Sequence, residues 1–303
     1  MANGDEPYGR AEREVPFDGR ILGAIENALR EDIGMGDITG DSTLDADART
    51  GGEFLAKADG VIAGIEVAGA VFHLTDEEVV YRPVVSDGTG VKSGTVIALV
   101  EGNARGILRA ERVALNFLQR MGGIATMTRT YVDAVRGTKA KITDTRKTAP
   151  GLRAIDKLAV RIGGGVNHRY GLDDMVLIKD NHIVAAGGIT AAVHRCQDYL
   201  REHNIKVGIE VETTSLKEVR ESLSLKGLQR IMLDNFSVAA MREAVLLIGG
   251  RVEVEASGGI TLESVKEVAM TGVDFISVGA ITHSVHALDI SLEFTSGTHA
   301  PHA

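Results

Sequence analysis

Cysteine is nearly absent from this sequence: Cys196 is the only one among 303 residues. A single thiol excludes an internal disulfide and any zinc cage built on cysteines. Cys196 falls in a predicted helix over 191–202, where ordinary packing is the expected role. Long apolar runs are missing as well, and none approaches the ~20 residues needed to span a bilayer. The opening segment, residues 1–17, is polar and charged. It lacks the apolar centre of a secretory signal and reads as a flexible arm. A cytoplasmic protein with no membrane partner is therefore expected. There is no basic excess either. The net charge of −9 argues against a nucleic-acid partner, because such proteins turn a basic face to the phosphate backbone.

Hydrophobic residues make up 44% of the chain and charged residues 25%, a balance that suits one or two folded domains with a sizeable core. Many of the 36 glycines follow apolar β-like runs, where tight turns and anion-binding amides are wanted. Over residues 18–30, Ile21, Ile25, Ala28 and Leu29 recur at helical spacing. Residues 53–101 read as a small α+β module, with strand-like runs at 54–58, 79–84 and 96–100 split by Gly and Asp. A long helix is predicted over 105–121, its stripe formed by Ile107, Ala110, Ala114, Phe117 and Met121. Gly122-Gly123 should end or bend it, and helical spacing resumes over 124–135.

From residue 139 the pattern changes. β-rich runs recur at 141–145, 175–179, 207–212, 230–234, 252–257 and 275–279, starting 22 to 34 residues apart. Helical patterns fill most gaps, at 191–202, 216–223, 238–247 and 262–271. Alternation at this spacing gives a parallel sheet with right-handed crossovers. Each run ends in a charged, hydroxyl or glycine residue, and parallel barrels keep their active sites at that C-terminal end. A doubly wound sheet would place ligands there too. But the first turn carries Thr145-Arg-Lys-Thr148 rather than a glycine fingerprint, which favours the barrel. The stretch is short against the ~250 residues of an eightfold barrel. An incomplete α/β barrel of six or seven strands is expected.

Three groups of residues at these strand ends carry chemistry. Arg146, Lys147, His168, Arg169 and Lys179 gather at or near the first two ends, with Arg153 and Arg161 between. Any one of them could be neutralised by Asp156, Asp173 or Asp174 as a solvated pair. Five together in an acidic protein call for an anion, because like charges in one mouth repel. Arginine suits planar carboxylates and phosphates, and lysine serves as a point charge. Glu210 and Glu212 lie two apart on a strand and so face the same side. With Asp234 they could hold Mg²⁺ through hard oxygens, or form a salt-bridge layer with Lys179 and Arg146. Glu212 is the better metal candidate, being nearer the strand end. Ser257-Gly-Gly259 and Gly279 to His283 each follow a β run, and together they read as a phosphate cradle.

These motifs closely resemble the quinolinate phosphoribosyltransferase (nicotinate-nucleotide pyrophosphorylase) family. The resemblance rests on Ala110-Glu-Arg-Val-Ala-Leu-Asn116, Thr143-Asp-Thr-Arg-Lys-Thr-Ala-Pro-Gly151, Gly163-Gly-Gly-Val-Asn-His-Arg169 and Ile178-Lys-Asp-Asn-His182. It continues through Glu210-Val-Glu212, Met232-Leu-Asp-Asn235, Ala256-Ser-Gly-Gly259 and Val278-Gly-Ala-Ile-Thr-His-Ser284. Glu31-Asp-Ile-Gly-Met-Gly-Asp-Ile-Thr39 resembles the family's N-terminal signature. Residues 18–295 are covered, in order.

The resemblance implies an α/β fold with an N-terminal α/β sandwich over 18–125 and the barrel over 126–288. The tail, 289–303, would return to the first domain. It implies a homodimer in which Arg112 reaches the partner's site. Arg146, Lys147, His168, Arg169 and Lys179 would hold the quinolinate carboxylates and a pyrophosphate. Glu212 and Asp234 would serve Mg²⁺ and the ribose, and with Lys147 they are the expected catalytic residues. Ser257, Gly258, Gly259, Gly279 and His283 would hold the 5-phosphate. The implied reaction joins quinolinate to phosphoribosyl pyrophosphate and releases CO₂. A sister enzyme acting on nicotinate is the nearest rival, and the doubled basic pairs favour the diacid. A catalytically silent phosphate-binding dimer would have lost cations or carboxylates at the strand ends, and none is lost.

Overall fold

Asp18 starts the first helix, α1 (Gly19–Ile33), by accepting a hydrogen bond from the Arg20 amide. In this computed structural model the described residues are 18–295, so the arm expected over 1–17 lies outside them. Asp37 caps α2 (Ile38–Thr43) in the same way. The small-sheet half continues with β1 (Arg49–Ala56), β2 (Gly60–Val61), α3 (Ile65–Thr75), β3 (Val80–Pro83), β4 (Gly90–Val91) and β5 (Val96–Asn103). Along β1, Gly52, Phe54 and Ala56 alternate inward, as the period of two requires. Phe54, Phe72 and Tyr81 close this core, with ring centroids 5.5–5.9 Å apart.

Asn103 ends β5 and caps α4 (Ala104–Ala134), accepting from the Gly106 amide. The helix runs unbroken through Gly122-Gly123, against the expectation of an end or bend there. The glycines serve a close approach instead. A Cβ on Gly123 would strike the His286 carbonyl, and one on Gly122 would press on Leu288 at 3.0 Å. The returning chain is pinned there by the Leu288 amide, which donates to the Gln119 carbonyl at 2.9 Å. Helix α4 packs on both α3 and the first barrel helix, so the boundary expected near 125 falls inside one helix.

The barrel half opens with β6 (Lys141–Thr143), α5 (Arg153–Ile162), β7 (Val176–Ile178), α6 (Asp180–Ala186) and α7 (Ile189–Glu202). It continues with β8 (Ile209–Thr213), α8 (Leu216–Leu223), β9 (Arg230–Asp234), α9 (Val238–Ile248), β10 (Glu253–Ser257), α10 (Val265–Ala269), β11 (Phe275–Ser277) and α11 (Ala280–His283). Six parallel strands pair in the order β6-β11-β10-β9-β8-β7. The edges β6 and β7 do not pair with each other, so the barrel is incomplete and has six strands. Past the open edge, Val166 bridges to Thr143, which carries the chain toward the cations that follow it. Finally β12 (Ile290–Thr295) pairs antiparallel with β1, from Ala56↔Ile290 to Gly51↔Thr295. It completes a four-stranded sheet in the order β12-β1-β5-β3.

Candidate active site

The C-terminal ends of the six strands surround a cavity of about 720 Å³. Arg146 and Lys147 reach it from the turn after β6, Lys179 from the end of β7, and Glu212 from β8. Asp234 closes β9, Ser257 to Gly259 follow β10, and Gly279 and His283 follow β11. With His168 and Arg169 from the bridge segment, twelve of the thirteen residues singled out from sequence line this one space. Arg112 does not. It lies exposed on α4, outside the cavity of its own chain.

The cavity has two chemically distinct walls. One carries cations. Lys179 Nζ lies 2.9 Å from Glu212 Oε2, and Arg169 Nη1 donates to the Met175 carbonyl at 3.1 Å. Burial and the neighbouring Arg146 pull the Arg169 pKa below its ordinary value, so an anion here would relieve a real repulsion. The part of the lining that follows β10 and β11 is glycine-rich. Gly258 and Gly259 have φ of +91° and +61°, values L side chains avoid. A Cβ on Gly258 would also collide with the Asn235 amide. Gly279 sits beneath the His283 ring, where a Cβ would come within 3.1 Å of it. Gly259 alone of the three faces open space, while Asn235 packs on Gly258 and His283 with Lys147 on Gly279, so polar side chains and main chain meet here as an anion site needs.

The floor holds what the sequence reading missed. Glu255 is fully buried. It accepts from the Ser277 hydroxyl, and Arg230 Nη1 lies 2.6 Å from its other oxygen. His168 Nε2 lies 3.0 Å from Glu210 Oε2 and 3.5 Å from Glu255. His168 Nδ1 accepts the Arg169 amide at 2.7 Å. Both ring nitrogens are thus engaged, and His168 forms part of the floor rather than a free donor at the rim. Burial pushes Glu210 up to about 7, and burial with the Glu210 charge does the same to Glu255. Burial also lowers the His168 pKa. Strand alternation could have revealed Glu255, because it lies two residues before Ser257 and faces the same way.

Two places offer oxygen ligands. Among the described residues, His168, Glu210 and Glu255 bring ligand atoms within 4.8 Å of one another. The Arg230 guanidinium already meets their charge, so a second cation is disfavoured. Glu212 and Asp234 differ, standing on the neighbouring strands β8 and β9 and facing the cavity. Two hard carboxylates open to a substrate suit Mg²⁺, which takes its remaining ligands from water and phosphates. Glu210 lies deeper, one layer below, which separates it from Glu212.

Comparison with known proteins is decisive for the family. The quinolinate phosphoribosyl transferase C-terminal domain matches residues 124–293, and the N-terminal domain matches 37–122. The chain belongs to the quinolinate phosphoribosyltransferase family. Quinolinate phosphoribosyltransferase (decarboxylating) 2a, mitochondrial, of Nicotiana tabacum is 49% identical over 288 residues, 90% of this chain and 82% of the relative. The chloroplastic nicotinate-nucleotide pyrophosphorylase (carboxylating) of Arabidopsis thaliana has the same identity and coverage. The solved structure of NadC from Streptococcus pyogenes superposes with a TM-score of 0.86 at 38% identity, covering 91% of this chain and 97% of that one. As in that family, a small sheet domain precedes an open parallel barrel. No helix among the described residues is long and apolar enough to cross a membrane.

Proposed function

We propose that the chain transfers phosphoribose from phosphoribosyl pyrophosphate to quinolinate, giving nicotinate mononucleotide, pyrophosphate and CO₂. One observation carries the reading: a single cavity gathers four cations, Arg146, Lys147, Arg169 and Lys179, together with Ser257, Gly258, Gly259 and Gly279. A planar diacid suits the first wall and a sugar phosphate the second. Arg146, Arg169 and Lys179 would grip the two carboxylates, with His168 supporting them from below. Ser257, Gly258, Gly259, Gly279 and His283 would hold the 5-phosphate. Lys147 stands between the walls, its Cδ 3.3 Å from the place a Gly279 Cβ would occupy, and would meet the departing pyrophosphate.

The chemistry asks for placement and charge rather than a nucleophilic side chain. The ring nitrogen attacks the anomeric carbon as the bond to pyrophosphate breaks. The nitrogen then carries positive charge beside the adjacent carboxylate. Loss of CO₂ leaves an electron pair that this charge stabilises until a proton is taken up. The cation wall holds the acceptor still, and the half-closed barrel limits water. Glu212 and Asp234 would hold Mg²⁺, which when bound supplies Lewis-acid neutralisation of pyrophosphate charge.

The reading extends to a homodimer in which Arg112, exposed on α4 and outside its own cavity, completes the partner's cation wall. The cytoplasm is the proposed compartment; the two plant relatives are named as mitochondrial and chloroplastic. The test is to assay purified protein with phosphoribosyl pyrophosphate and Mg²⁺, offering quinolinate or nicotinate as acceptor. Nicotinate mononucleotide and CO₂ from quinolinate alone support the reading, while turnover of nicotinate alone replaces it with the sister activity. Removing Mg²⁺ with a chelator should abolish turnover. Mixing Arg112→Ala with Lys147→Ala chains should restore activity through hybrid dimers.

A further inference from the structure

Behind the cation wall lies a buried ion pair that the proposed chemistry does not use. Asp144 follows β6 directly, and Lys157 sits midway along α5. Their side chains are 0% and 5% exposed, and Lys157 Nζ lies 2.5 Å from Asp144 Oδ1. The pair grips one residue from both sides. Asp144 Oδ1 also accepts the His168 amide at 2.8 Å, and Lys157 Nζ donates to the His168 carbonyl at 3.0 Å. The second Asp144 oxygen accepts Asn167 Nδ2 at 2.6 Å, and that amide group also reaches the Lys157 carbonyl at 2.9 Å.

A contribution to stability does not account for this arrangement. Burial raises the Asp144 pKa and lowers that of Lys157, each opposed by the charge of the other. Pairs desolvated to this degree are often replaced by apolar side chains without loss of stability. What the pair does supply is direction. Both main-chain polar groups of His168 are held by it, and both ring nitrogens are held by Glu210 and the Arg169 amide. Arg169 follows with its own guanidinium tied to Met175. Its approach to the cavity is therefore set by the clamp on the residue before it. On the phosphoribosyl side, Thr282 Oγ1 donates to the Lys147 carbonyl at 2.9 Å, a tether in which neither Asp144 nor Lys157 takes part.

We infer that Asp144 and Lys157 are positioning residues for the acceptor half of the site, aiming Arg169 by clamping the main chain of His168. The inference rests on the acceptor reading given above. It is tested with Lys157→Met and with the double variant Asp144→Asn/Lys157→Met, which leaves no lone buried carboxylate. Three quantities are measured on each full-length protein: KM for both substrates, Tm, and the rate at which phenylglyoxal labels Arg169 and Arg146, read by peptide mass spectrometry. Lys157→Met should raise the KM for quinolinate about tenfold and leave that for phosphoribosyl pyrophosphate within about twofold, since misplacing one gripping residue weakens only what it grips. Arg169 labelling should quicken while Arg146 labelling stays unchanged. The double variant should regain the Tm lost by the single variant without regaining the quinolinate KM.

Equal movement of both KM values would overturn the inference. So would a double variant that recovers quinolinate KM together with Tm, or unchanged labelling of Arg169. If Lys157→Met does not fold, the double variant alone decides by the same ratios. If the unaltered protein does not turn over quinolinate, the proposed function fails. Arg169 labelling then decides the clamp by itself, and an unchanged rate sinks it.

Discussion

Lys179 Nζ and Glu212 Oε2 face each other at 2.9 Å from the ends of neighbouring strands. The pair joins the cation wall to the proposed metal carboxylates, so its two members share one task. Lys179 is 46% exposed, and the pair itself contributes little to stability at that exposure. Its value lies in binding. Lys179→Met should lower kcat/KM for quinolinate by about 10- to 100-fold, the range expected for one lost charged hydrogen bond. Tm should move by no more than about 2 °C, a fraction of a kcal/mol for a chain of this size. Steady-state kinetics beside a melting curve would check both. A large fall in Tm would mean that Lys179 is structural.

The floor acids predict a pH dependence of stability. Glu255 titrates at about 7 in the folded chain against an ordinary 4.5. Above 4.5 the unfolded chain releases this proton while the folded chain keeps it. The folded state therefore loses relative stability as pH rises from about 4.5 to about 7, and the loss levels off beyond. His168, lowered by burial, acts in the opposite direction, losing stability as pH falls below its unfolded value. Glu255→Gln removes one acid and should flatten the decline of Tm between pH 5 and pH 7.5. Glu210 is raised likewise and its charge is coupled to that of Glu255, so the difference in slope reports the carboxylate pair rather than either acid alone. Parallel Tm curves would rule out this account.

Much of this was legible from residues alone, for reasons that differ along the chain. The six barrel strands were readable because apolar β runs ended in Asp144, Lys179, Glu212, Asp234, Ser257 and Gly279, and parallel topology brings such ends together. The helix break expected at Gly122-Gly123 failed because its cause is tertiary. The glycines admit the chain at His286 and Leu288, which is more than 160 residues away in sequence. Glu255 was missed because Glu253 and Glu255 alternate along one strand, and the alternation gives the shared face of Glu255 and Ser257 but not the partners on other elements. Arg230 and His168 reach it from other elements. Arg153, noticed only as one more cation, proves to be a tether. It donates to Thr148 Oγ1 and to the Tyr170 carbonyl, at 3.1 and 3.0 Å.

Gly258 is the sharpest test of the phosphate wall. Its φ of +91° and the adjacent Asn235 amide both oppose a side chain. Gly258→Ala should cost about 1–2 kcal/mol for the left-handed backbone alone. Urea unfolding would measure that cost. Under the proposed function the KM for phosphoribosyl pyrophosphate should rise more than that for quinolinate, because the wall serves the sugar phosphate. A change confined to the quinolinate KM would mean that the two walls have been assigned the wrong way round.

Gly123 tests how the two halves of the chain are joined. The strand that completes the first sheet, β12, must pass α4 before it can pair with β1. It does so where a side chain on Gly123 would meet the His286 carbonyl. Gly123→Ala adds a favourable helix former to α4, so a purely local argument predicts stabilisation. The tertiary argument predicts the reverse, since overpacking at a closed contact costs about 1–3 kcal/mol. The substitution should therefore lower Tm and speed amide exchange across Ile290–Thr295, while exchange in the barrel strands stays slow. A raised Tm with β12 still protected would show that the crossing has slack and that helix propensity governs this position.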